Sequence, residues 1–234
     1  MYHGIQIKPP FFEIGPKAYI YGKEALQLAQ HADRLSIQYD VRIIFTPQCV
    51  DIPAIVSQTK YILVFAQHMD SIEIGRGIGS VLPEAIKEAG AVGFLLNHDE
   101  KRVSIDEIKA AIQRADEIGL ASMICADNPQ KAVEIARLNP NIILAESPDL
   151  IGVGVRDENS QTEINEINKL VHNINPEILV LHGAGIKNGN DIYEVVKRGA
   201  QGSGSTSGIM LASDPFQMLE EMIRAMRKAW DETH

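Results

Sequence analysis

The stretch GFLLNHDEKRVSIDEIKAAIQRADEIGLASMIC, residues 93–125, decides the fold because it contains one complete repeating unit. Its two ends, Gly93–Leu96 and Ala121–Cys125, are short and apolar, which is typical of strands covered on both faces of a parallel sheet. Between them, Ile105–Ile118 places its apolar residues on one stripe and predicts an amphipathic helix. Ser104 is a suitable N-cap for that helix. The stretch therefore predicts strand, helix, strand.

The same alternation runs through the rest of the chain. Further strands are predicted at Phe11–Gly15, Val41–Thr46, Ile62–Ala66, Ile142–Ala145, Ile178–Leu181 and Gln201–Gly204. Further helices are predicted at Gly22–Ala32, Pro83–Ala89, Pro129–Leu138, Thr162–Asn173, Asp191–Arg198 and Asp214–Trp230. Eight such units favour an α/β fold closed into a (β/α)8 barrel, with an open doubly wound sheet as the alternative. We expect one barrel domain over residues 1–234 with a short N-terminal extension over residues 1–10.

Composition excludes several classes of protein. The chain has 234 residues, of which 45% are apolar, and a net charge of −9. That apolar content supports a core, and the acidic balance argues against nucleic acid as a partner. We expect no membrane-spanning helix and no secretory signal, and hence a cytoplasmic protein without a membrane partner. Cys49 and Cys125 fit no zinc spacing and are expected to be reduced thiols, so no metal site is predicted.

Two cationic or titratable side chains follow predicted strands, where barrels of this kind carry their function. Lys17 follows the first strand and could face the mouth of the barrel; the alternative is a solvated surface lysine. His98 follows the fourth strand at the start of a turn, where backbone dipoles disfavour the imidazolium and favour a neutral hydrogen-bond donor. The alternative for His98 is a structural hydrogen bond.

A carboxylate, Glu146, follows the sixth strand and precedes a loop, residues 147–154, that contains proline near its start and glycines near its end. A stiff stem with a glycine hinge is typical of a closing lid, which would exclude water and strengthen Glu146 as a base. The alternative is a surface glutamate before an ordinary loop.

Two glycine-rich turns, residues 182–186 and 202–208, follow the seventh and eighth strands. Backbone N–H groups in such turns can approach a phosphate closely, and these two loops form the usual phosphate site of the barrel. Together, a cation, a neutral donor, a carboxylate and a phosphate cradle predict proton abstraction beside the carbonyl of a phosphorylated sugar. This chemistry requires no metal or redox cofactor.

The sequence resembles the triosephosphate isomerase family, in its compact archaeal-type branch, over nearly the whole chain from Phe11 onward. The motifs that carry the resemblance are Lys17-Ala18-Tyr19, Ala66–Asp70, Gly79–Glu84, Leu96-Asn97-His98, Cys125, Glu146–Gly154, Gly183–Ile186 and Ser207-Gly208. The resemblance implies a TIM barrel that interconverts glyceraldehyde 3-phosphate and dihydroxyacetone phosphate in glycolysis and gluconeogenesis. It also implies a homodimer or a homotetramer.

By this resemblance, Lys17 is the electrostatic residue, His98 the electrophile and Glu146 the base, and Glu100 pairs with the lysine. The resemblance also implies where the substrate is held. Its phosphate would contact the backbone at Ile151, Gly152, Gly185, Thr206 and Ser207, and Gly15 stands at a further substrate-binding position.

The chain departs from the family pattern around the substrate. Gly15 stands where the family has Asn, Asp99 where Ser is usual, and Ile78 where a Thr reaches into the partner's site. Lys101 replaces a frequent arginine, and Ser147 a usual proline. These changes leave the three catalytic groups in place, so we expect retained chemistry. Loss of the Asn side chain predicts a larger site, which a phosphorylated tetrulose could fill.

Two other functions remain open at this stage. A lyase or aldolase could use Lys17 as a Schiff-base nucleophile, although a Glu100 partner would keep the lysine protonated. A sugar-phosphate-binding homologue that has lost activity is favoured by Gly15, Asp99 and Ile78, and disfavoured by Glu146.

Overall fold

The computed structural model describes residues 1–146 and 158–234, with the backbone alone described for residues 158–163. Eight parallel strands pair in chain order, and β8 pairs with β1, so the barrel is closed. The strands are β1 Phe11–Ile14, β2 Arg42–Phe45, β3 Leu63–Ala66, β4 Gly93–Leu96, β5 Ala121–Ala126, β6 Ile142–Ala145, β7 Leu179–His182 and β8 Gly202–Gly204. The predicted (β/α)8 barrel is confirmed, and the open doubly wound sheet is excluded.

Helices follow the strands around the outside of the barrel. They are α1 Gly22–Tyr39, α2 Ile52–Val56, α3 Pro83–Glu88, α4 Ile105–Ile118, α5 Pro129–Ala136, α6 Glu158–Ile174, α7 Gly189–Lys197, α8 Ser207–Met210 and α9 Pro215–Asp231. Within the described ranges, none of these helices is long and apolar enough to cross a membrane.

Several helical features differ from the prediction, among them the length of α1 and the presence of α2 and α8. Helix α1 continues past Ala32 to Tyr39, because buried residues such as Leu35 extend its apolar stripe, and it ends where Asp40 adopts a left-handed conformation. Helices α2 and α8 were not predicted, since each is too short to show a helical period.

In the barrel interior, large side chains on one strand lie opposite glycines on the neighbouring strand. Phe11 pairs with Gly202, and Phe65 pairs with Gly93. A Cβ atom at Gly202 would lie 2.3 Å from the Phe11 ring, and one at Gly93 would lie 2.5 Å from the Phe65 ring. These glycines therefore make room for two phenylalanine rings inside the barrel.

The N-terminal extension packs against the opposite end of the barrel from the glycine-rich turns. Tyr2, Ile5 and Ile7 contact the apolar cluster of the barrel interior, next to the first residues of several strands. The side-chain amide of Asn141, just before β6, donates a 2.6 Å hydrogen bond to the Tyr2 carbonyl. The extension thus covers the amino-terminal end, and the carboxyl-terminal end carries the open cavity described below. One domain over residues 1–234 stays a prediction.

Candidate active site

A cavity of about 590 Å³ opens at the carboxyl-terminal ends of the strands. Eight of the predicted site residues line it: Gly15, Lys17, His98, Glu100, Glu146, Gly185, Thr206 and Ser207. The tertiary structure thus brings together side chains and turns that follow five different strands. The predicted phosphate contacts at Ile151 and Gly152 lie outside the described residues, as does the predicted lid over residues 147–154.

Lys17 is held by both its side chain and its backbone. Its Nζ atom lies 2.7 Å from Oε1 of Glu100. Its backbone is left-handed, with φ of 49°, an uncommon conformation for a residue other than glycine. The side-chain amides of Gln48 and Gln67 donate hydrogen bonds of 2.9 and 3.0 Å to its carbonyl oxygen. These contacts fix the direction in which the ammonium group points.

His98 follows β4 on a turn that Asn97 anchors. Asn97 is buried with φ of 63°, and its amide nitrogen donates to the Cys125 carbonyl at 3.0 Å. The backbone N–H of Glu100 donates to Nδ1 of His98 at 3.1 Å. Since Nδ1 accepts a hydrogen bond, the proton of a neutral His98 ring is on Nε2, which faces the cavity.

The electrostatics of His98 favour this neutral form. Burial lowers the pKa of His98, and the positive charge of Lys17 lowers it further, while Glu100 and Asp99 act in the opposite direction. The direction agrees with the sequence-based expectation. Burial is the largest cause, and a backbone N–H group of the same turn, that of Glu100, also points at the ring.

Glu146 is the first residue after β6, and its backbone N–H donates to the Ala126 carbonyl at 2.9 Å. Its Oε2 atom lies 3.8 Å from Nε2 of His98. A Cβ atom at Gly183 would lie 2.8 Å from Oε1 of Glu146. The glycine after β7 therefore leaves the room that the carboxylate occupies.

The loops after β7 and β8 are tied to each other and to β1. The Ser205 hydroxyl donates to the Ile186 carbonyl, and the Thr206 hydroxyl donates to the Gly15 carbonyl, each at 2.8 Å. Gly185 has φ of 76°, which turns its backbone in a way that favours glycine. Ser207 is the first residue of α8, so its N–H group has no carbonyl partner within the helix.

Asp99, a departure from the family pattern, does not carry an uncompensated charge into the cavity. Its carboxylate accepts a 2.8 Å bond from Arg102, which also contacts Asp127 at 3.2 Å. Hydrogen bonding to Arg102 lowers the pKa of Asp99. The added carboxylate is therefore paired with Arg102, which it shares with Asp127.

Sequence reasoning missed several polar residues that line the same cavity, among them Glu13, Thr46, Gln48 and Gln67. The sequence could have indicated Glu13, because it is the one charged residue in the otherwise apolar strand β1. The expectation of a larger site at Gly15 stays a prediction, but two side chains already lie near the position of the first side-chain atom there. A Cβ atom there would lie 2.7 Å from the Thr46 hydroxyl and 2.8 Å from the Glu13 carboxyl.

Comparison with known proteins agrees with this geometry. The family model described as triosephosphate isomerase matches residues 14–226. The chain belongs to the triosephosphate isomerase family. A triosephosphate isomerase of Methanobacterium bryantii is 42% identical over 86% of this chain and 89% of its own length. Those of Sulfurisphaera tokodaii and Sulfolobus acidocaldarius are 38% and 36% identical over 96% of this chain, and over 99% and 98% of their own lengths.

These findings confirm the resemblance, including its archaeal-type branch. Triosephosphate isomerases are aldose–ketose isomerases of a sugar phosphate, so the chain belongs to a family of enzymes. In the described part of the chain, no group of three or more His, Cys, Asp or Glu residues could hold a metal ion.

Proposed function

We propose that this protein interconverts glyceraldehyde 3-phosphate and dihydroxyacetone phosphate through an enediolate, with Glu146 as the base. The observation that carries the proposal is the approach of Glu146 to His98, 3.8 Å apart at the mouth of one cavity. A base and a neutral donor that face the same point can act on neighbouring atoms of one α-hydroxy carbonyl compound.

In the proposed reaction, Glu146 removes a carbon-bound proton beside the carbonyl group and becomes a carboxylic acid. The Nε2–H group of His98 donates to the carbonyl oxygen, where negative charge develops. Glu146 then returns the proton to the adjacent carbon. The hydroxyl proton moves between the two oxygens through His98, so atoms and charges balance without a cofactor.

Lys17 supplies the positive charge that stabilises the enediolate and the phosphate in this proposal. Its 2.7 Å contact with Glu100 holds the ammonium in place. The same contact weighs against a Schiff-base lyase, because a paired ammonium is not a nucleophile. Sodium borohydride added with substrate would trap a covalent adduct on Lys17 in the lyase, and we expect none.

The phosphate is proposed to lie against the loops after β7 and β8, at Gly185, Thr206 and Ser207. The hydrogen bond from Ser205 to the Ile186 carbonyl joins these two loops, and the bond from Thr206 to the Gly15 carbonyl joins the second of them to the end of β1. The proposed contacts at Ile151 and Gly152 lie outside the described residues.

The direct test is proton NMR in D₂O with a panel of three- to five-carbon sugar phosphates. We expect isomerisation of the three-carbon compounds with deuterium incorporated at the carbon beside the carbonyl. A protein that binds these compounds without isomerisation or exchange would be the inactive homologue, and the proposal would fail. The local pairing of Asp99 with Arg102 weighs against that outcome.

A phosphorylated tetrulose remains the second candidate substrate. The missing Asn side chain at Gly15 favours it, although Thr46 and Glu13 lie where the first atom of that side chain would be. A higher kcat/KM on four-carbon than on three-carbon phosphates would favour the tetrulose over the triose.

We also propose that the protein forms a homodimer or a homotetramer in the cytoplasm. Ile74 and Ile78, in the loop between β3 and α3, are both exposed, with Ile78 fully so. Adjacent exposed isoleucines on a protruding loop are typical of a surface that another chain covers. Light scattering at several protein concentrations tests the assembly, and cell fractionation tests the location.

A further inference from the structure

A buried carboxyl group that the proposed mechanism does not use lies in the wall of the cavity. Glu13 is the third residue of β1, whose other residues are all apolar, and its side chain is 8% exposed. Because side chains alternate along a strand, Glu13 and Gly15 face the same side of the barrel wall. Both line the cavity, together with Thr46 and Lys17.

One hydrogen bond positions this carboxyl group. The Thr46 hydroxyl, directly after β2, donates to Oε1 of Glu13 at 2.6 Å. It is the only hydrogen bond to the Glu13 side chain in the described part of the chain. The second carboxyl oxygen is therefore available to a ligand in the cavity.

Glu13 and Gly15 are linked by steric exclusion. A Cβ atom at position 15 would lie 2.8 Å from Oε1 of Glu13 and 2.7 Å from the Thr46 hydroxyl. Such distances are shorter than real Cβ contacts, so a side chain at position 15 would displace the hydrogen-bonded pair. The observed position of the Glu13 carboxyl therefore depends on the absence of a side chain at Gly15.

We propose that Glu13 is a substrate-contacting residue that determines specificity: its carboxyl group hydrogen-bonds an oxygen on the carbon chain of the sugar phosphate, in the place of the side chain that Gly15 lacks. The inference rests on the proposed function, since it concerns the ligand of the same site. The ligand class is a phosphate ester whose carbon chain carries hydroxyl or carbonyl groups.

The charge state of Glu13 suits this role. Burial raises the pKa of Glu13 from 4.5 to about 7; the Thr46 bond lowers it, Glu146 raises it and Lys17 lowers it. The protonated carboxyl can donate to a carbonyl or enediolate oxygen and accept from a hydroxyl. The ionised carboxylate would repel an enediolate and a phosphate.

The first test compares Glu13→Leu and Glu13→Gln with the wild type in steady-state isomerisation. We expect Glu13→Leu to lower kcat/KM roughly tenfold, because a hydrogen bond to the substrate is lost. Glutamine can still accept from Thr46 and donate to the substrate, so Glu13→Gln should retain most of the activity. The double variant Glu13→Leu/Thr46→Val leaves no unpaired hydroxyl and should behave as Glu13→Leu does.

Two further measurements distinguish a structural role of Glu13 from a role in binding the substrate. The thermal midpoint of Glu13→Leu/Thr46→Val should not fall, because the change removes a buried carboxyl from an apolar strand. The fall of kcat/KM above about pH 7 should be smaller in Glu13→Gln than in the wild type. The other titratable groups that interact with Glu13 are Lys17, Cys125 and Glu146, and they are unchanged in both proteins. His98 also titrates in the cavity and is common to both.

A binding measurement tests the contact between Glu13 and the ligand without requiring the protein to be catalytically active. NMR titration compares glycerol 3-phosphate with propyl phosphate, which has the same carbon chain without hydroxyl groups. The wild type should bind glycerol 3-phosphate more tightly than propyl phosphate. In Glu13→Leu most of this difference in affinity should be lost. Glu88→Gln, an exposed carboxyl change on α3, is the control and should match the wild type.

The outcomes distinguish the two proposals. If the wild type shows no isomerisation but Glu13→Leu loses the preference for glycerol 3-phosphate, the proposed function fails and the role of Glu13 stands. If the wild type isomerises and Glu13→Leu equals it in kcat/KM and in ligand preference, the role of Glu13 is overturned.

Discussion

Nε2 of His98 lies 3.8 Å from Oε2 of Glu146, although 47 residues separate the two in the chain. The amide of Glu100 occupies the other ring nitrogen of His98, so the N–H group of a neutral ring points toward the carboxylate. One residue follows β4 and the other follows β6, and closure of the barrel brings both strand ends to one rim. The pair is thereby placed to act on one small ligand.

Shortening the proposed base should slow the chemical step. In Glu146→Asp the carboxylate moves back by about 1 Å, which costs on the order of 10²-fold in kcat, with KM little changed. Steady-state kinetics and deuterium exchange in D₂O measure the effect. Glu88→Asp, on the outer surface, is the matched control and should be unaffected. Wild-type kcat in both Glu146→Asp and His98→Gln would rule out the assignment of base and electrophile.

A methyl group beside the base should displace it without removing it. The Cβ atom of Gly183→Ala would lie 2.8 Å from Oε1 of Glu146, so the carboxylate must shift. We expect kcat to fall at least about tenfold while the fold is kept, because Gly183 has an ordinary backbone conformation and alanine adds no strain there. Circular dichroism and kinetics on the same sample separate the two effects. An unchanged kcat would show that the position of Glu146 is not critical.

The buried carboxyl of Glu13 should make stability depend on pH. Since the pKa of Glu13 is raised to about 7 in the folded protein, its stabilising contribution is complete below about pH 4.5 and is lost as the pH rises through 7. The loss corresponds to about 3 kcal/mol. Urea unfolding of wild type and Glu13→Gln at about pH 5 and about pH 8 measures it.

In this comparison the contributions of the carboxyl groups that do not interact with Glu13 cancel between the two proteins. The free energy of unfolding should fall more steeply with pH in the wild type than in Glu13→Gln. Parallel pH profiles would contradict the buried, proton-binding state of Glu13.

Replacing Gly15 by Asn, the residue that the family has at this position, should lower activity unless Glu13 is also replaced. Gly15→Asn alone would force Glu13 and Thr46 apart, and we expect kcat/KM to fall at least about tenfold. The double variant Glu13→Val/Gly15→Asn removes the carboxyl that the asparagine would meet, and should recover activity relative to Gly15→Asn. A double-mutant cycle on kcat/KM measures the coupling, and additive effects would argue against it.

The alternation of apolar strands and amphipathic helices was sufficient to predict the barrel, because burial on both faces imposes a local pattern on each strand. The predicted strands lie within one or two residues of those observed, and Ser104 is the N-cap of α4 as predicted. Helix α8 escaped prediction because its four residues show no period. The resemblance to the family indicated Lys17, His98 and Glu146, which line one cavity.

The contacts between distant segments could not be predicted in this way. The 2.6 Å bond between Thr46 and Glu13 and the hydrogen bonds from Gln48 and Gln67 to the Lys17 carbonyl each join different segments of the chain. Local patterns report which face of an element is buried, since that depends on residues a few positions apart. Which polar atoms meet depends on how eight strand ends converge, and only the closed barrel decides it.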